Sequence, residues 1–443
     1  MTTAASTDAP VTHRQVLSIA LPIMVSNVST PLLGMVDMAV IGRLPDPAYI
    51  GAVALGALIF TFVFWAFGFL RMGTTGLTAQ ALGAGDLGEV RSSLGRGLAI
   101  AVVVGAALIA LQAPIAALAF AALQGSDKVE GLARSYFAVR IWAAPATLAN
   151  YALLGWFIGL GRARTALVLQ LVLNLANMAL DVLFVLGLGL GVAGVAAGTL
   201  IAEVLAAGVG LALASRHLPP AGTAGSIAAL LDPAPLARAI SVNRDIMVRT
   251  LALMSVFVWF MARGARQGDL LLAANAVLMQ FVSIAAYFLD GVAFAAEALV
   301  GRAVGAGRRL MLVAVVRLTT GWAFALALAA SVLFVALGPT LIDALTVDAT
   351  VRLSARAHLP WAALAPLAGV LAFQLDGIFI GATRTREMRS AALQSLAVFV
   401  AGWWLLQPLG NHGLWAALYV SYAARTLTLL RYAPRLWRDL PAP

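Results

Sequence analysis

The chain has 443 residues, of which 62% are hydrophobic and only 11% charged, and its mean hydropathy is +0.95. Ordinary soluble domains are roughly half apolar and about a quarter charged, so this composition excludes a soluble enzyme. At about 20 residues per crossing, a chain of this length can form about a dozen membrane helices. Its long, continuously apolar segments are the wrong pattern for a strand-built barrel. We therefore expect an all-α polytopic membrane protein.

Cysteine and histidine usage limits the possible chemistry. The absence of cysteine excludes disulfides, thiolate metal sites and cysteine nucleophiles. The histidines His13, His217, His358 and His412 are predicted to lie in the N-terminal tail or at helix ends, away from clustered carboxylates. An intramembrane protease or acyltransferase would need a nucleophile and a base within the bilayer, and the single lysine, Lys128, falls in a predicted external loop. We therefore predict no metal site, no catalytic triad and no enzyme.

The net charge of +10 and the isoelectric point near 10.9 could indicate nucleic-acid binding. The arginines, however, are scattered through short loops and do not form one patch with interleaved aromatic residues. Their bias toward one set of loops predicts that both termini are cytoplasmic. The opening segment MTTAASTDAPVTHRQ lacks the features of a cleaved signal peptide. The sequence thus predicts a multi-pass protein of the bacterial inner membrane that does not bind nucleic acid.

Twelve spans are predicted from hydropathy and from breaks at glycine, proline and charge clusters. They are 16–42, 49–79, 94–120, 135–160, 165–188, 191–215, 240–262, 271–301, 311–338, 356–381, 390–408 and 412–431. A polar segment rich in proline and glycine, at about 216–240, separates six spans from the other six. The predicted domains are a cytoplasmic tail at 1–15, an N-terminal lobe at 16–218, a cytoplasmic linker at 219–239, a C-terminal lobe at 240–432 and a tail at 433–443.

The two halves resemble each other in sequence. At an offset of 222 residues, FIGLGRAR (157–164) aligns with FIGATRTR (379–386), and ALGAGD (81–86) aligns with AVGAGR (303–308). Because each half has an even number of spans, both halves enter the membrane from the same side, and the repeats are parallel. Transporters built from such repeats bind their substrates near mid-membrane, at or near the repeat interface.

Ionisable side chains inside the spans are the candidate functional residues, because each costs about 3 kcal/mol there even on a lenient insertion scale. Counting about 1.5 Å per residue from the predicted outer ends places Asp37, Asp181 and Thr199 at similar depths, roughly 8 to 12 Å. Asn177 lies one helical turn from Asp181 on the same face. If spans 1, 5 and 6 adjoin, these four residues form a polar pocket suited to a proton or a small cation. The alternative is that Asn177 and Thr199 only bond helices together and that Asp37 touches headgroups.

Span 1 also contains Pro22 and Pro31, each of which removes a backbone hydrogen bond and permits a kink. A helix that carries Asp37 beyond two prolines is a candidate moving part, since protonation would change which bent or straight form is favoured. Prolines are also ordinary in membrane helices.

Three further candidates lie in the first half. Arg71 is the only arginine predicted at depth, where it is a possible counter-charge. Glu203, one turn beyond Thr199, could relay protons or pair with an arginine. Asn150 is a secondary polar candidate in span 4.

The second half has its own acids, Asp290, Glu297 and Asp376. Each lies far along an inward-running span, so we predict a second polar region toward the cytoplasmic side. For Glu297, close to the arginine-rich segment GRAVGAGRR, interfacial anchoring is the favoured interpretation.

Five long segments carry a resemblance that covers both halves. They are IALPIMVSNVSTPLLGMVDMAVIGRL (19–44), FLRMGTTGLTAQALGAGD (69–86), LLGWFIGLGRAR (153–164), NLANMALDVLFVLGLGLGVAGVAAGTLIAE (174–203) and YFLDGVAFAAEALVGRAVGAG (287–307). They resemble the DinF-like branch of the multidrug and toxic compound extrusion (MATE) transporters. The resemblance implies a V-shaped pair of six-helix lobes and a secondary transporter that exports lipophilic, mostly cationic compounds in exchange for protons or sodium.

The resemblance also implies roles for particular residues. In that family the first-helix aspartate, preceded fifteen residues earlier by a proline, is the main cation-coupling group, and it corresponds to Asp37 and Pro22. The family's Asn-x-x-x-Asp of the fifth helix matches Asn177 and Asp181, and a sixth-helix threonine matches Thr199. Other branches bind sodium with acids on helices 7, 8 and 10, but span 7 here has no mid-membrane acid.

We therefore expect proton-coupled efflux by alternating access. The alternatives are sodium coupling, since the N-lobe pocket of related proteins has also been argued to hold sodium, and flipping of a lipid-linked substrate. A flippase would need a large cationic cavity for phosphate headgroups, whereas only one deep arginine is predicted. The expected partners are small lipophilic or cationic molecules and membrane lipids, with no cofactor beyond the coupling ion, and the chain is expected to be a monomer.

Overall fold

The computed structural model describes residues 11–123, 125–218, 232–438 and 440, and every regular element in these residues is helical. The helices are α1 His13–Ile41, α2 Ala48–Ala66, α3 Phe69–Gly83, α4 Leu87–Ala110, α5 Gln112–Ala122, α6 Asp127–Arg140, α7 Ala144–Gly159, α8 Ala163–Asp181, α9 Gly191–Ser215, α10 Pro233–Ala265, α11 Asp269–Gly305, α12 Arg309–Leu345, α13 Ala349–Gly381, α14 Thr385–Leu406 and α15 Gly410–Arg438. Short 3₁₀ segments at Ile141–Ala143 and Gln407–Leu409 and a π-helical turn at Val182–Gly187 connect neighbouring helices.

Within the described residues, eleven helical segments are long and apolar enough to cross a bilayer. The last of these, Thr385–Arg438, contains both α14 and α15, of 22 and 29 residues, so the chain has the length for twelve crossings. This confirms the predicted all-α membrane fold. The predicted span 49–79 is interrupted, because α2 ends at Ala66 and α3 begins at Phe69.

Helix ends differ from the predicted domain ends at three places. Helix α1 already begins at His13, α10 begins at Pro233 within the predicted linker, and α15 continues to Arg438 within the predicted tail. Proline fits the start of α10, because the first turn of a helix has no acceptor for the N–H that proline lacks. The rest of the predicted linker, 219–231, and residues 1–10 of the predicted tail lie outside the described residues.

The chain divides into two compact units. The first-half unit comprises Val25–Ala81 and Asp86–Ile240, and the second-half unit comprises Met1–Met24, Leu82–Gly85 and Ser241–Pro443. The division falls within α1, so the initial turns of this helix are counted with the second-half unit. There, a Cβ at Gly291 would lie 2.9 Å from the carbonyl oxygen of Ala20, which shows how closely α11 packs on the start of α1.

Two pairs of turns show the predicted internal repeat in the backbone itself. Gly85 and Gly307, 222 positions apart, have φ angles of 74° and 66°. Gly161 and Thr383, at the same offset, have φ angles of 66° and 51°. The turns that follow corresponding helices therefore have the same left-handed geometry, although one of the four residues is not glycine.

The helix crossings repeat as well. In each unit, two glycines one turn apart lie so close to the backbone carbonyl groups of a neighbouring helix that a Cβ would overlap them. Small residues of this kind allow membrane helices to approach closely. The pairs are Gly155 on Arg71 and Gly159 on Thr75 in the first-half unit, and Gly377 on Ala293 and Gly381 on Glu297 in the second-half unit.

Each unit has an aromatic core in which the polar edge of a tryptophan is bonded. In the first-half unit, fully buried Trp156 donates its indole N–H to the carbonyl oxygen of Val90 (2.9 Å). In the second-half unit, fully buried Trp415 donates to Oδ1 of Asn275 (3.0 Å), whose amide also exchanges hydrogen bonds with Asn411. These bonds satisfy polar groups that would otherwise be costly to bury.

Candidate functional site

Asp37 and Asp181 lie near the ends of two helices of the first-half unit. Asp37 is four residues before the end of α1, and Asp181 is the last residue of α8. The chain then widens into the π-helical turn Val182–Gly187, where the N–H of Leu188 bonds to the carbonyl oxygen of Leu183 (2.9 Å). Such turns are often found at functional sites.

The carboxyl groups of Asp37 and Asp181 lie within hydrogen-bond distance of each other. Such a bond forms only when one of the two groups carries a proton, because an ionised carboxylate is an acceptor only. Asp181 is fully buried, and Oδ1 of each aspartate is buried without a hydrogen-bond partner. Among the described residues, no lysine, arginine or histidine forms an ion pair with either group. We call these two residues the carboxyl pair.

Asn177 and Thr199 adjoin the carboxyl pair. In the amide orientation that satisfies both of its polar ends, Asn177 donates to Oδ2 of Asp181 (3.0 Å) and accepts from Oγ1 of Thr199 (2.9 Å). The structure therefore brings the four residues singled out by depth counting into one cluster of carboxyl, amide and hydroxyl groups. Oxygen atoms of these types can hold a proton or act as ligands of a hard cation.

Gly198 was not a candidate in the sequence, but it makes room for this cluster. A Cβ at this position would overlap Oδ1 of Asp181 and would lie 3.3 Å from the backbone nitrogen of Asp181. The side chain of Asp181 therefore occupies the space that any larger residue would need. Gly198 directly precedes Thr199 in the sequence. This position indicates a role for Gly198 only when it is known that α8 packs against α9.

A second polar network in the first-half unit joins α6, α7 and α9. Glu203 accepts hydrogen bonds from Asn150 (2.7 Å) and Arg140 (3.4 Å), and all three residues are buried. Of the two alternatives for Glu203, the structure thus shows pairing with an arginine. Tyr136, one turn before Arg140, lies within hydrogen-bond distance of Arg140 and close enough to the carboxyl pair to interact with it electrostatically. Arg140 and Tyr136 were not predicted.

The second-half unit contains a buried acid with different neighbours. Oδ2 of Asp376, in α13, accepts hydrogen bonds from Arg249 of α10 and from Arg425 of α15. The exposed fractions of Asp376, Arg249 and Arg425 are only 5%, 7% and 4%. Arg425 also donates to the carbonyl oxygen of Ala372 (3.3 Å), and its guanidinium carbon lies 5.8 Å from the ring centroid of Phe373. We call Asp376 with Arg249 and Arg425 the arginine-bound acid.

Two sequence predictions are wrong in this region. Arg71 is not the only deep arginine, because Arg249 and Arg425 are buried as well. Glu297 is not an interfacial anchor, because it is only 2% exposed. Its backbone carbonyl group packs against Gly381 of α13. Glu297 interacts electrostatically with Arg249 instead. Asp290 interacts with both arginines.

The remaining candidates are placed as follows. The carbonyl oxygen of Arg71 accepts a hydrogen bond from Oγ1 of Thr75 (2.9 Å), and its guanidinium interacts electrostatically with Tyr151. Pro22 and Pro31 both lie inside α1, which is one unbroken helix from His13 to Ile41 in this structure.

Two of the histidines contact each other, which the sequence did not predict. The ring centroids of His358 and His412 are 4.5 Å apart, with planes inclined at 32°. Nδ1 of His358 bonds to the carbonyl oxygen of Ser354 (2.9 Å), and Trp361 donates to Nδ1 of His412 (2.9 Å). The residues lie in α13 and α15, so nothing local in the sequence signals the contact.

Comparison with known proteins agrees with the fold and with its repeat. The family model MatE matches residues 22–183 and again residues 246–408. DNA damage-inducible protein F of Escherichia coli is 41% identical over 95% of this chain and 92% of its own length. A probable multidrug resistance protein NorM of Rhizobium meliloti is 28% identical over 92% of this chain and 87% of its own.

Among solved structures, a MATE protein in the straight conformation matches 96% of both chains with a TM-score of 0.86 at 17% identity. At that identity the match supports the fold alone. The family model covers most of the chain, once in each half, and the Escherichia coli relative is similar along nearly its whole length. This chain therefore belongs to the MATE family of multidrug efflux transporters, as the resemblance in its sequence implied.

Proposed function

We propose that this protein exports lipophilic, mostly cationic compounds in exchange for protons by alternating access. Family membership and the relative named as a multidrug resistance protein support the export of drugs. That these compounds are lipophilic and mostly cationic rests on the resemblance in the sequence. Proton exchange rests on the carboxyl pair, in which fully buried Asp181 and half-buried Asp37 lie within hydrogen-bond distance, and a hydrogen bond between them needs one proton.

Charge on the carboxyl pair links the proton to the substrate in this proposal. With one proton, the pair has a single negative charge that attracts a cationic substrate. A second proton removes that charge and the attraction with it. Asn177 donates a hydrogen bond to Asp181 and so holds that carboxyl group in place. Asp37, which is half-buried whereas Asp181 is fully buried, is then the member that exchanges its proton with solvent.

Helix α1 is the proposed moving element. Neutralising Asp37 removes its hold on the substrate, and Pro22 and Pro31 allow the helix to bend as the substrate leaves outward. The return step carries the proton inward. If one proton is exchanged for one monovalent cation, a pH difference of one unit supports about tenfold accumulation, roughly 1.4 kcal/mol.

Two alternatives use the same molecule differently. Sodium could replace the proton, because Asp37, Asp181, Asn177 and Thr199 offer oxygen ligands. A lipid-linked, anionic substrate would need cationic groups, and the buried Arg249 and Arg425 are already bonded to Asp376. Proton-coupled export of cations is therefore the proposal that the charges favour. We further propose an inner-membrane monomer with both termini in the cytoplasm, in line with the arginine bias of the loops.

Efflux of a fluorescent lipophilic cation from proteoliposomes tests the proposal. A proton gradient and a sodium gradient are imposed separately on the wild type, Asp37→Asn and Asp376→Glu, the last of which keeps a carboxylate for the two arginines. We expect proton-driven efflux that Asp37→Asn abolishes and Asp376→Glu retains at least in part. Efflux driven by the sodium gradient alone would show that the coupling ion is sodium and not the proton. No cation transport under either gradient would overturn the substrate class.

A further inference from the structure

A groove in the second-half unit lies between the start of α1 and the first half of α12. Its volume is about 770 Å³, within the range of roughly 300–1,000 Å³ typical of small-molecule pockets. The residues of α12 that line it recur at helical spacing and so form one face of that helix. The lining residues are His13, Leu310, Val313, Ala314, Arg317, Leu318, Gly321, Trp322 and Ala325.

The groove is at the boundary of the membrane and not at its centre. His13 is the first residue of α1, and the exposed residues Arg14 and Gln15 follow it, so this helix enters the hydrocarbon region only after them. The indole N–H of Trp322 donates to Nδ1 of His13 (3.1 Å), which places Trp322 at the same level. Tryptophan is enriched at this level of the bilayer.

The polar groups of the groove are suited to a phosphate. Among the residues that line it, the titratable side chains are His13 and Arg317, and none is acidic. Arg317 is exposed and carries a permanent positive charge. A neutral imidazole that accepts at Nδ1 carries its proton on Nε2, so His13 also has an N–H to donate. The rest of the lining is aliphatic or aromatic and suits a hydrocarbon chain.

We propose that this groove binds an anionic phospholipid of the leaflet in which the N-terminal end of α1 lies. The phosphate binds Arg317 and His13 through charge-assisted hydrogen bonds, and an acyl chain packs along the apolar face of α12. A basic side chain at the membrane surface attracts anionic lipids more than neutral ones. The bound lipid contacts both α1 and α12 at the place where Trp322 already joins them. This site is independent of the coupling ion and of the exported substrate.

Two glycines provide a matched pair of variants. A Cβ at Gly321 meets no atom within 4 Å, so Gly321→Phe starts its side chain in open space and adds a ring at the groove. Gly208, in α9, is also exposed and also open, so Gly208→Phe adds the same side chain elsewhere. Arg317→Gln removes the charge and leaves the groove open.

Lipid binding is measured by native mass spectrometry of the purified full chain, titrated separately with phosphatidylglycerol and with phosphatidylcholine. We expect the wild type and Gly208→Phe to bind one phosphatidylglycerol more tightly than phosphatidylcholine. Gly321→Phe is expected to lose this binding, and Arg317→Gln to weaken it about tenfold, as expected for loss of one charge-assisted contact.

Four results would overturn the proposal. Undiminished binding to Gly321→Phe would place the lipid elsewhere, and equal affinity for the two lipids would remove the role of Arg317 and His13. Binding that appears only after deletion of residues 1–10 would identify the chain's own N-terminal segment as the occupant. A dimer that Gly321→Phe dissociates would identify a second copy of the chain.

Discussion

The two halves of this transporter contain buried aspartates in opposite electrostatic surroundings. In the first-half unit, Asp37 and Asp181 face each other and an amide. In the second-half unit, Asp376 is bonded by two guanidinium groups. Asp181 and Asp376 are both buried, so burial alone does not distinguish the two sites. The neighbours do, because an acid bonded to arginines keeps its charge, whereas two adjacent carboxyl groups must share a proton to bond. This contrast is the reason why proton exchange is proposed at the carboxyl pair and not at the arginine-bound acid.

The strongest test of this contrast removes the charge of the arginine-bound acid. Asp376→Asn leaves Arg249 and Arg425 buried without their carboxylate, which is expected to destabilise the protein by about 3–5 kcal/mol. The midpoint of thermal unfolding in detergent measures the loss. Asp376→Glu is the control, because it keeps a carboxylate for both arginines, and it should retain most of the stability. Wild-type stability of Asp376→Asn would contradict the structural role assigned to this ion pair.

The matching substitutions in the carboxyl pair should affect transport and spare stability. Asp37→Asn and Asp181→Asn remove groups that have no cationic partner among the described residues, so each should change the free energy of unfolding by about 1 kcal/mol or less. Proton-driven efflux should nevertheless be lost in both. The midpoint of thermal unfolding checks the expected stability, and efflux from proteoliposomes checks the expected loss of transport. A stability loss as large as that of Asp376→Asn would contradict the proposed difference between the carboxyl pair and the arginine-bound acid.

A methyl group beside the carboxyl pair provides a finer test. Gly198→Ala would displace the carboxyl group of Asp181, at a cost of about 1–3 kcal/mol for overpacking. We expect slower proton-driven efflux together with a lower thermal midpoint. Gly208→Ala in the same helix is the control, because its Cβ meets nothing within 4 Å. Equal behaviour of the two variants would show that Asp181 can move without consequence.

The smallest effect is expected for a half-buried acid outside the membrane-spanning helices. Hydrogen bonds from Lys128 and from the backbone N–H of Ala48 lower the pKa of Asp46, in the loop between α1 and α2. A lowered pKa stabilises the fold above the ordinary aspartate range and loses that effect as the pH falls through the folded-state value. Asp46→Asn should therefore lower the thermal midpoint slightly at neutral pH. The difference from wild type should vanish at acidic pH and shrink in high salt; a difference that persists at low pH would contradict this assignment.

The sequence was sufficient for the fold and for the grouping of four polar residues. Membrane helices must be long and apolar, and counting along straight helices gives depth, which is why Asp37, Asn177, Asp181 and Thr199 could be assigned to one level. Their proximity in the structure follows from the packing of α1, α8 and α9. Their role in coupling stays a prediction.

The second-half network could not be predicted in the same way. Arg249 and Arg425 are 127 and 49 residues from Asp376 along the chain. One arginine in a long apolar span barely lowers its mean hydropathy, and nothing local signals which helix lies opposite. The contact of His358 with His412 was missed for the same reason, because it depends on which helices are neighbours.

The glycine crossings have a consequence for how the two halves came to differ. Each glycine packs against a backbone carbonyl oxygen of the neighbouring helix, and every residue has such an oxygen. The helix crossing therefore does not depend on the side chain of the residue that the glycine contacts. At corresponding positions of this crossing, the first half has Thr75 and the second half has the buried Glu297. Once the ancestral half was copied, variation could place two arginines on the aspartate of one half and leave the carboxyl pair of the other without an ion-paired arginine among the described residues, while both halves kept the same backbone crossing.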